Sequence, residues 1–258
     1  MSKYALVTGA CINTGVAIVE KFAKEGWNVV FTGRNCEKVH AAEKLYNEKF
    51  PKVNIIGYHL DSLDENGNVD EKSVTAMFEE LDKREVIIDA LVLNAADLGV
   101  EMKIFENPLT DFMRVINTNV VWNFCLSEHA AARMKEHGGG SITFINSNTA
   151  YRAIPDRIAY ISSKGGQLGL MRALALDLGK YNIRVNAVLP GMIKTDRWDK
   201  NPEIYENAPS RFTPLGDVAV GSDIADAVWY LASSARNTTG AELTVDGGNT
   251  IQLYPIIK

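Results

Sequence analysis

The sequence contains no CxxC or HExxH motif, and its four histidines, His40, His59, His129 and His137, do not cluster. A metal centre is therefore not expected. Cysteine is scarce: Cys11, Cys36 and Cys125 are an odd number at wide spacing. That excludes a disulfide framework and suits reduced thiols in a cytoplasmic protein. No basic block occurs, and 27 Lys and Arg against 32 Asp and Glu leave a net charge of −5. Nucleic acid is a poor partner for such a chain. No apolar run approaches the ~20 residues of a membrane-spanning helix. The opening MSKYALVTGA enters a strand pattern at once, leaving no room for a signal peptide. No Pro/Gly/Ser-rich linker and no internal repeat divides the 258 residues. One domain over residues 1–258 is expected, long enough to bury a core without disulfide or metal staples.

What is present is alternation. Short apolar runs rich in Val, Ile and Phe lie at 5–7, 28–32, 53–58, 90–93, 141–145 and 183–189. Runs apolar on both faces are the mark of strands in a sheet covered on both sides. Amphipathic stretches follow them at 15–25, 38–50 and 73–83, and Thr110 is placed to cap a helix through Phe112 and Val115. Strands alternating with helices imply βαβ units and a doubly wound parallel sheet. Two segments break the pattern. Residues 62–72 are acidic and turn-rich, as in a solvated loop. Residues 192–220 hold Pro202, Pro209 and Pro214, lack periodicity, and read as a substrate lid.

The first strand runs into Thr8, Gly9, Ala10, Cys11, Ile12, Asn13, Thr14 and Gly15, and a helix follows. Strand, glycine turn and helix aim backbone amides at a pyrophosphate. Cys11 lies near that helix start, where amides and dipole would favour its thiolate. The second strand ends at Gly33 and Arg34, where an NAD-binding fold would place an acid for the ribose. A guanidinium there suits a 2′-phosphate, so NADP is expected over NAD. Tyr160 and Lys164, at i and i+4, share one face of a helix. An ammonium beside a phenol favours the phenolate, and the pair can exchange a proton with an alcohol or carbonyl. Ser147 precedes Tyr160 on the chain, after the strand at 141–145.

These motifs, in this order, resemble the short-chain dehydrogenase/reductase family over nearly the whole chain. The matches are the glycine turn, Asp61, the segment Leu93, Asn94, Ala95 and Ala96, then Asn119, Ser147, Tyr160 and Lys164, then Asn186, Pro190 and Gly191, and the last strand at 244–248. The resemblance implies a single Rossmann domain with seven parallel strands and helices on both faces. It implies Asn119, Ser147, Tyr160 and Lys164 as the catalytic set. Asn119 would hold a water linking Lys164 to solvent, and Lys164 would lower the Tyr160 pKa. Cofactor contacts would come from Gly9, Cys11, Ile12, Asn13, Thr14, Gly15, Arg34, Asp61, Ser62, Asn94, Ala95, Tyr160, Lys164, Pro190, Gly191, Ile193 and Thr195. Asn13, Ala17, Leu93 and Ala96 depart from the family pattern, which puts the loop geometry and the bonding after the fourth strand in question.

Substrate would meet Asp97, Ser147, Asn148, Arg152, Tyr160, Met192 and Trp198. This lining is polar for a steroid or long acyl chain, so a sugar, polyol or small hydroxy acid is expected. A 3-oxoacyl carrier-protein reductase is the alternative enzyme, and a catalytically silent NADP(H) sensor the alternative class. A homo-oligomer, dimer or tetramer, is expected through the helices around 110–137 and 160–181 and the apolar tail at 251–257.

Overall fold

The computed structural model describes residues 3–99, 101, 103–106, 109–196, 198, 202 and 211–255. Seven strands alternate with helices: β1 (Tyr4–Val7), β2 (Asn28–Gly33), β3 (Ile55–His59), β4 (Ile88–Leu93), β5 (Gly140–Ile145), β6 (Ile183–Pro190) and β7 (Glu242–Val245). They form one parallel sheet in the order β3-β2-β1-β4-β5-β6-β7. The helices are α1 (Asn13–Lys24), α2 (Cys36–Lys49), α3 (Glu71–Lys83), α4 (Leu109–Ile116), α5 (Trp122–Glu136), α6 (Ile158–Leu178) and α7 (Gly221–Trp229). The result is the doubly wound Rossmann arrangement expected from the alternation.

Side-chain alternation along each strand sends the apolar runs into two cores. On one face, Leu6, Val30, Leu91, Ile142 and Phe144 pack under Phe78 of α3, Leu126 of α5 and Met171 of α6. On the other, Val7, Phe31, Val92 and Val188 meet Phe22 of α1, Val39 of α2 and Val228 of α7. Phe22, Trp27 and Trp229 form an aromatic triad with centroids 5.4–5.5 Å apart. Such pairs add about 0.5–1.5 kcal/mol beyond their buried area. They bring the end of α7 beside α1.

The chain leaves β1 toward β2 on one side and reaches β4 on the other. At that reversal, helices depart to opposite faces and leave a crevice at the carboxyl ends of the strands, where open α/β sheets bind ligands.

Local departures have physical causes. Thr110 is the second residue of α4, not its cap, because the helix begins at Leu109. The long helix expected over 110–137 is interrupted by a π turn at Asn117–Val121. The acidic loop is shorter than 62–72, since Asp70 caps α3 by accepting from the Ser73 amide at 3.1 Å. Inside it, one carboxylate oxygen of Asp64 gathers the Asn66 and Asn68 amides, both at 2.9 Å. In the segment 192–220, where a lid was expected, Ile193 pairs with Ala219 in a parallel bridge. Residues 197, 199–201 and 203–210 of that segment, Pro209 among them, and Ile256 and Ile257 of the tail lie outside the described residues. Among the described residues, no helix is long and apolar enough to cross a membrane.

Candidate active site

The turn after β1 holds its shape despite Asn13. Gly9 has φ +64° and Asn13 φ +51°, both left-handed, a region asparagine tolerates better than most residues. A Cβ on Gly15 would stand 2.6 Å from the Ala10 Cα and 2.9 Å from the Asn94 amide nitrogen, so only glycine fits. Asn94 donates through Nδ2 to the carbonyls of Thr8 (2.9 Å) and Gly9 (3.1 Å). The Thr8 hydroxyl accepts from the amides of Asn94 and Ala95, each at 3.0 Å. The end of β4 thus clasps the loop although Leu93 and Ala96 replace the family's residues; Leu93 is buried in the core instead. Ala17 also finds its compensation, for its Cβ faces Gly221 of α7, where a second Cβ would lie only 3.0 Å away.

Ile12 precedes α1 without any side-chain cap, and the first turn carries no acid. The first amides of α1 and the positive end of its dipole are left for an anion. That donor set fits a dinucleotide pyrophosphate. Next to it, a cavity of about 370 Å³ brings Thr195 and Lys194 against Asn13 and Thr14.

Cys11 behaves otherwise than expected. It is half-buried, and burial pushes its thiol up from the ordinary value, with Lys38 opposing the rise. Its sulfur packs where a Cβ on Gly33 would go, 2.5 Å from that position. Beyond Gly33, Arg34 is exposed, and among the described residues its guanidinium has no partner. Only its backbone carbonyl is engaged, 3.2 Å from His59 Nε2. Asp61 stands nearby, since the Leu60 amide donates to the Gly33 carbonyl at 3.0 Å. Asp61 is exposed and accepts from the Ser62 amide, while the Ser62 hydroxyl lies 3.2 Å from that of Thr118. An unpaired cation and an acid at this edge fit a phosphorylated ribose and an adenine.

Ser147 follows β5 and begins a 3-10 turn, its hydroxyl accepting from the Thr149 amide (3.2 Å) and hydroxyl (2.9 Å). It also faces the Tyr160 phenol closely enough to act on its charge. Burial pushes the phenol up from its ordinary value, whereas the Ser147 hydroxyl and the Arg157 charge favour the phenolate. Lys164 follows one turn further along α6. Its ammonium, 5.5 Å from the Tyr160 ring centre, donates to the Ile145 carbonyl (2.8 Å) and to Gln167 Oε1 (3.2 Å). Lys164 is 1% exposed, and burial lowers its pKa from 10.5 to about 7.

Asn119 sits in the π turn and grips the backbone of Asp97, accepting from its amide and donating to its carbonyl, both at 2.8 Å. It also donates to Ser163 Oγ at 2.9 Å. Its own carbonyl accepts from Gln167 Nε2 at 2.7 Å.

Several of the polar substrate candidates are already engaged within the protein. Asp97 accepts from the Gly99 amide at 2.7 Å and pairs with Arg114. Asn148 donates to Asn249 at 2.7 Å, and Arg152 donates to the Gln252 carbonyl. Met192, half-buried, follows Gly191, whose amide donates to the Val245 carbonyl at 3.1 Å. The Trp198 amide donates to the Thr195 carbonyl at 2.9 Å. Asn186 lies inside β6, one strand away from the chemistry, and ties the approach to β7 by bonds to Thr238 and Ala241. Sequence reasoning missed Thr8, Asn146, Arg157 and Gln167. The one visible hint was Gln167, a polar residue on the apolar face of α6 beside Leu168 and Met171.

The fold and this constellation are those of a dinucleotide-binding oxidoreductase. A family model described as Enoyl-(Acyl carrier protein) reductase matches residues 9–250. The chain belongs to the short-chain dehydrogenase/reductase family. It is 36% identical over 247 residues to a 3alpha-hydroxysteroid dehydrogenase of Mediterraneibacter gnavus, covering 95% of this chain and 96% of that one. The structure of ElxO with NADP bound superposes with a TM-score of 0.87 at 30% identity, over 98% of this chain and 100% of the other. L-sorbose reductase from Gluconobacter frateurii, complexed with NADPH and L-sorbose, gives a TM-score of 0.88 at 26% identity, over 98% of both chains.

Proposed function

We propose that this oxidoreductase uses NADP(H) to interconvert an alcohol and a carbonyl on a small polar substrate such as a sugar, polyol or hydroxy acid. The observation that carries the reaction is the convergence of the Ser147 hydroxyl and the Tyr160 phenol over a buried Lys164. When bound, the nicotinamide supplies or accepts a hydride at its C4. Ser147 Oγ holds the substrate oxygen, and the Tyr160 O–H gives its proton to that oxygen in reduction or takes one back in oxidation. Lys164 supports the tyrosine from one turn below and offers an N–H to the ribose. Arg34 meets the 2′-phosphate, the free amides at the start of α1 hold the pyrophosphate, and Asp61 holds the adenine. The NADP and NADPH complexes of ElxO and the sorbose reductase support that cofactor.

A second substrate reading has its own observation. Asp97, Asn148 and Arg152 are bonded within the protein, while Leu98, Tyr151 and Ile154 on the loops flanking Tyr160 are exposed. That balance suits a larger apolar alcohol, the class named for the hydroxysteroid relative. NADPH consumption, and NADP reduction in the other direction, should be followed with sugars, polyols, hydroxysteroids and a 3-oxoacyl thioester. Turnover confined to the hydroxysteroids overturns the polar reading. NADPH binding with no turnover on any of them favours a sensor.

Residues 192–220 serve this site as its lid. The free thiols support a cytoplasmic setting. Exposed Ile251, Leu253 and Tyr254 support a homo-oligomer in which the tail is covered.

A further inference from the structure

Gln167 has every contact a catalytic helper needs, yet it touches no reacting atom. It is 0% exposed and lies one turn after Lys164 on α6. Its Nε2 donates to the Asn119 carbonyl at 2.7 Å. Its Oε1 accepts from Lys164 Nζ at 3.2 Å and from Asn146 Nδ2 at 3.0 Å. Asn146 in turn donates to the Lys164 carbonyl at 2.9 Å and accepts from the Ser147 amide at 2.8 Å. One carboxamide therefore joins the π turn of Asn119, the lysine of α6 and the strand end that presents Ser147. The chemistry fixes its orientation. Turned over, the amide would set its NH₂ against an ammonium and another NH₂, and its oxygen against a carbonyl.

We propose that Gln167 is the positioning residue of Lys164, binding the lysine to Asn119. The ammonium has three N–H donors. Gln167 Oε1 and the Ile145 carbonyl take two, which aims the third. The π turn serves the same end: its closing bond runs from the Trp122 amide to the Asn117 carbonyl, five residues back, and the Asn119 carbonyl turns to Gln167 instead. A leucine or valine at 167 would fill the space but take the side-chain donor from the Asn119 carbonyl and leave the lysine with the Ile145 carbonyl alone.

The proposal rests on the role given to Lys164 above, and its test is arranged so that the two can fail separately. Lys164 should be titrated by NMR of ¹³C-labelled lysine in the free protein, with Lys164→Met to assign the signal. Among the described residues the titratable group facing Lys164 is Tyr160, its ring centre 5.5 Å from the ammonium, and Arg157 acts on Tyr160 in turn. The facing groups of the π turn and β5 are neutral amides and hydroxyls. Gln167→Glu keeps the shape and sets a carboxylate on the ammonium, so the lysine midpoint should rise clearly above that of the wild type. Gln167→Met removes the acceptor, so the midpoint should fall. In the loaded enzyme Gln167→Met should lower kcat roughly ten- to a hundredfold, from misplacement alone, with substrate KM nearly unchanged. The acid limb of kcat against pH should move with the lysine midpoint. Unchanged midpoints in both variants overturn the proposal, and so does loss of folding in both, which would make the amide purely structural. Absence of turnover in the wild type would sink the proposed function but leave the free-protein titration to decide the role of Gln167.

Discussion

An aspartate introduced at Gly33 to recruit NAD(H) should fail unless Cys11 changes with it. A Cβ at Gly33 would lie 2.5 Å from Cys11 Sγ and 2.9 Å from Val39 Cγ2. Comfortable separations are about 3.5–4.0 Å. Both obstructing atoms are one bond from a Cβ, so neither can swing far away. Overpacking of this kind costs about 1–3 kcal/mol. Arg34 contributes a different quantity. Charge-assisted bonds to a phosphate are worth about 1.5–3 kcal/mol net, so Arg34→Ala should weaken NADP(H) by roughly ten- to a hundredfold and barely affect NAD(H). Gly33→Asp with Arg34→Ala should lose NADP(H) affinity and melt lower, yet gain little for NAD(H). Adding Cys11→Ala removes the sulfur and leaves a Cβ at the ordinary distance of 3.8 Å. That triple variant should recover part of the melting temperature, Val39 still giving by a few tenths of an ångström, and bind NAD(H) more tightly than NADP(H). Fluorescence titration of both cofactors at one ionic strength, with parallel thermal melts, measures all of this. The reasoning is refuted if the double variant already matches the triple variant for NAD(H), or if Arg34→Ala weakens both cofactors alike.

Other outcomes follow from the same geometry. Tyr160→Phe should bind NADPH normally and lose about 10²–10⁴-fold in kcat, because the ring packs alike but has no proton to give; near-normal kcat would remove the tyrosine from the mechanism. Timed alkylation with mass spectrometry should find exposed Cys36 first, half-buried Cys11 more slowly, and Cys125, pushed up to about 11 by burial, last. This order reverses the one expected from the helix start, and bound NADP(H) should slow Cys11 further. Because Lys164 is depressed from 10.5 to about 7, the unfolded chain holds the extra proton between those values, so its contribution to stability rises with pH across that window. Lys164→Met should lack that rise, with a difference of at most ~5 kcal/mol between the ends of the window; parallel denaturation curves at pH 7 and pH 10 would contradict it. Deletion of residues 253–258 should lower the mass seen by light scattering at micromolar concentration before it lowers the melting temperature, since Leu253 and Tyr254 are exposed in the single chain.

Much of this protein is local in origin, and local features survive in a sequence. The sheet was legible because its central strands are apolar on both faces, so the runs at 28–32, 141–145 and 183–189 mark β2, β5 and β6 within a residue. Tyr160 and Lys164 were legible because a helix sets i and i+4 together whatever surrounds it. Asn13 could be judged from its own backbone preference, and it does adopt a positive φ. Charge direction at single groups was not legible. The helix start suggested a thiolate at Cys11, but Gly33 and Val39 of neighbouring elements bury it, and desolvation outweighs the dipole. Polar residues near the catalytic loop read as substrate ligands, yet Arg152 bonds Gln252, one hundred residues later, and Asp97 bonds Arg114. Gln167 received no role from the sequence; only in the fold do Asn119 and Asn146 meet it beside Lys164. Composition and periodicity report which backbone a segment prefers and which face it buries. The partner a buried polar atom finds depends on chain segments far away in order, and that only the folded sheet brings about.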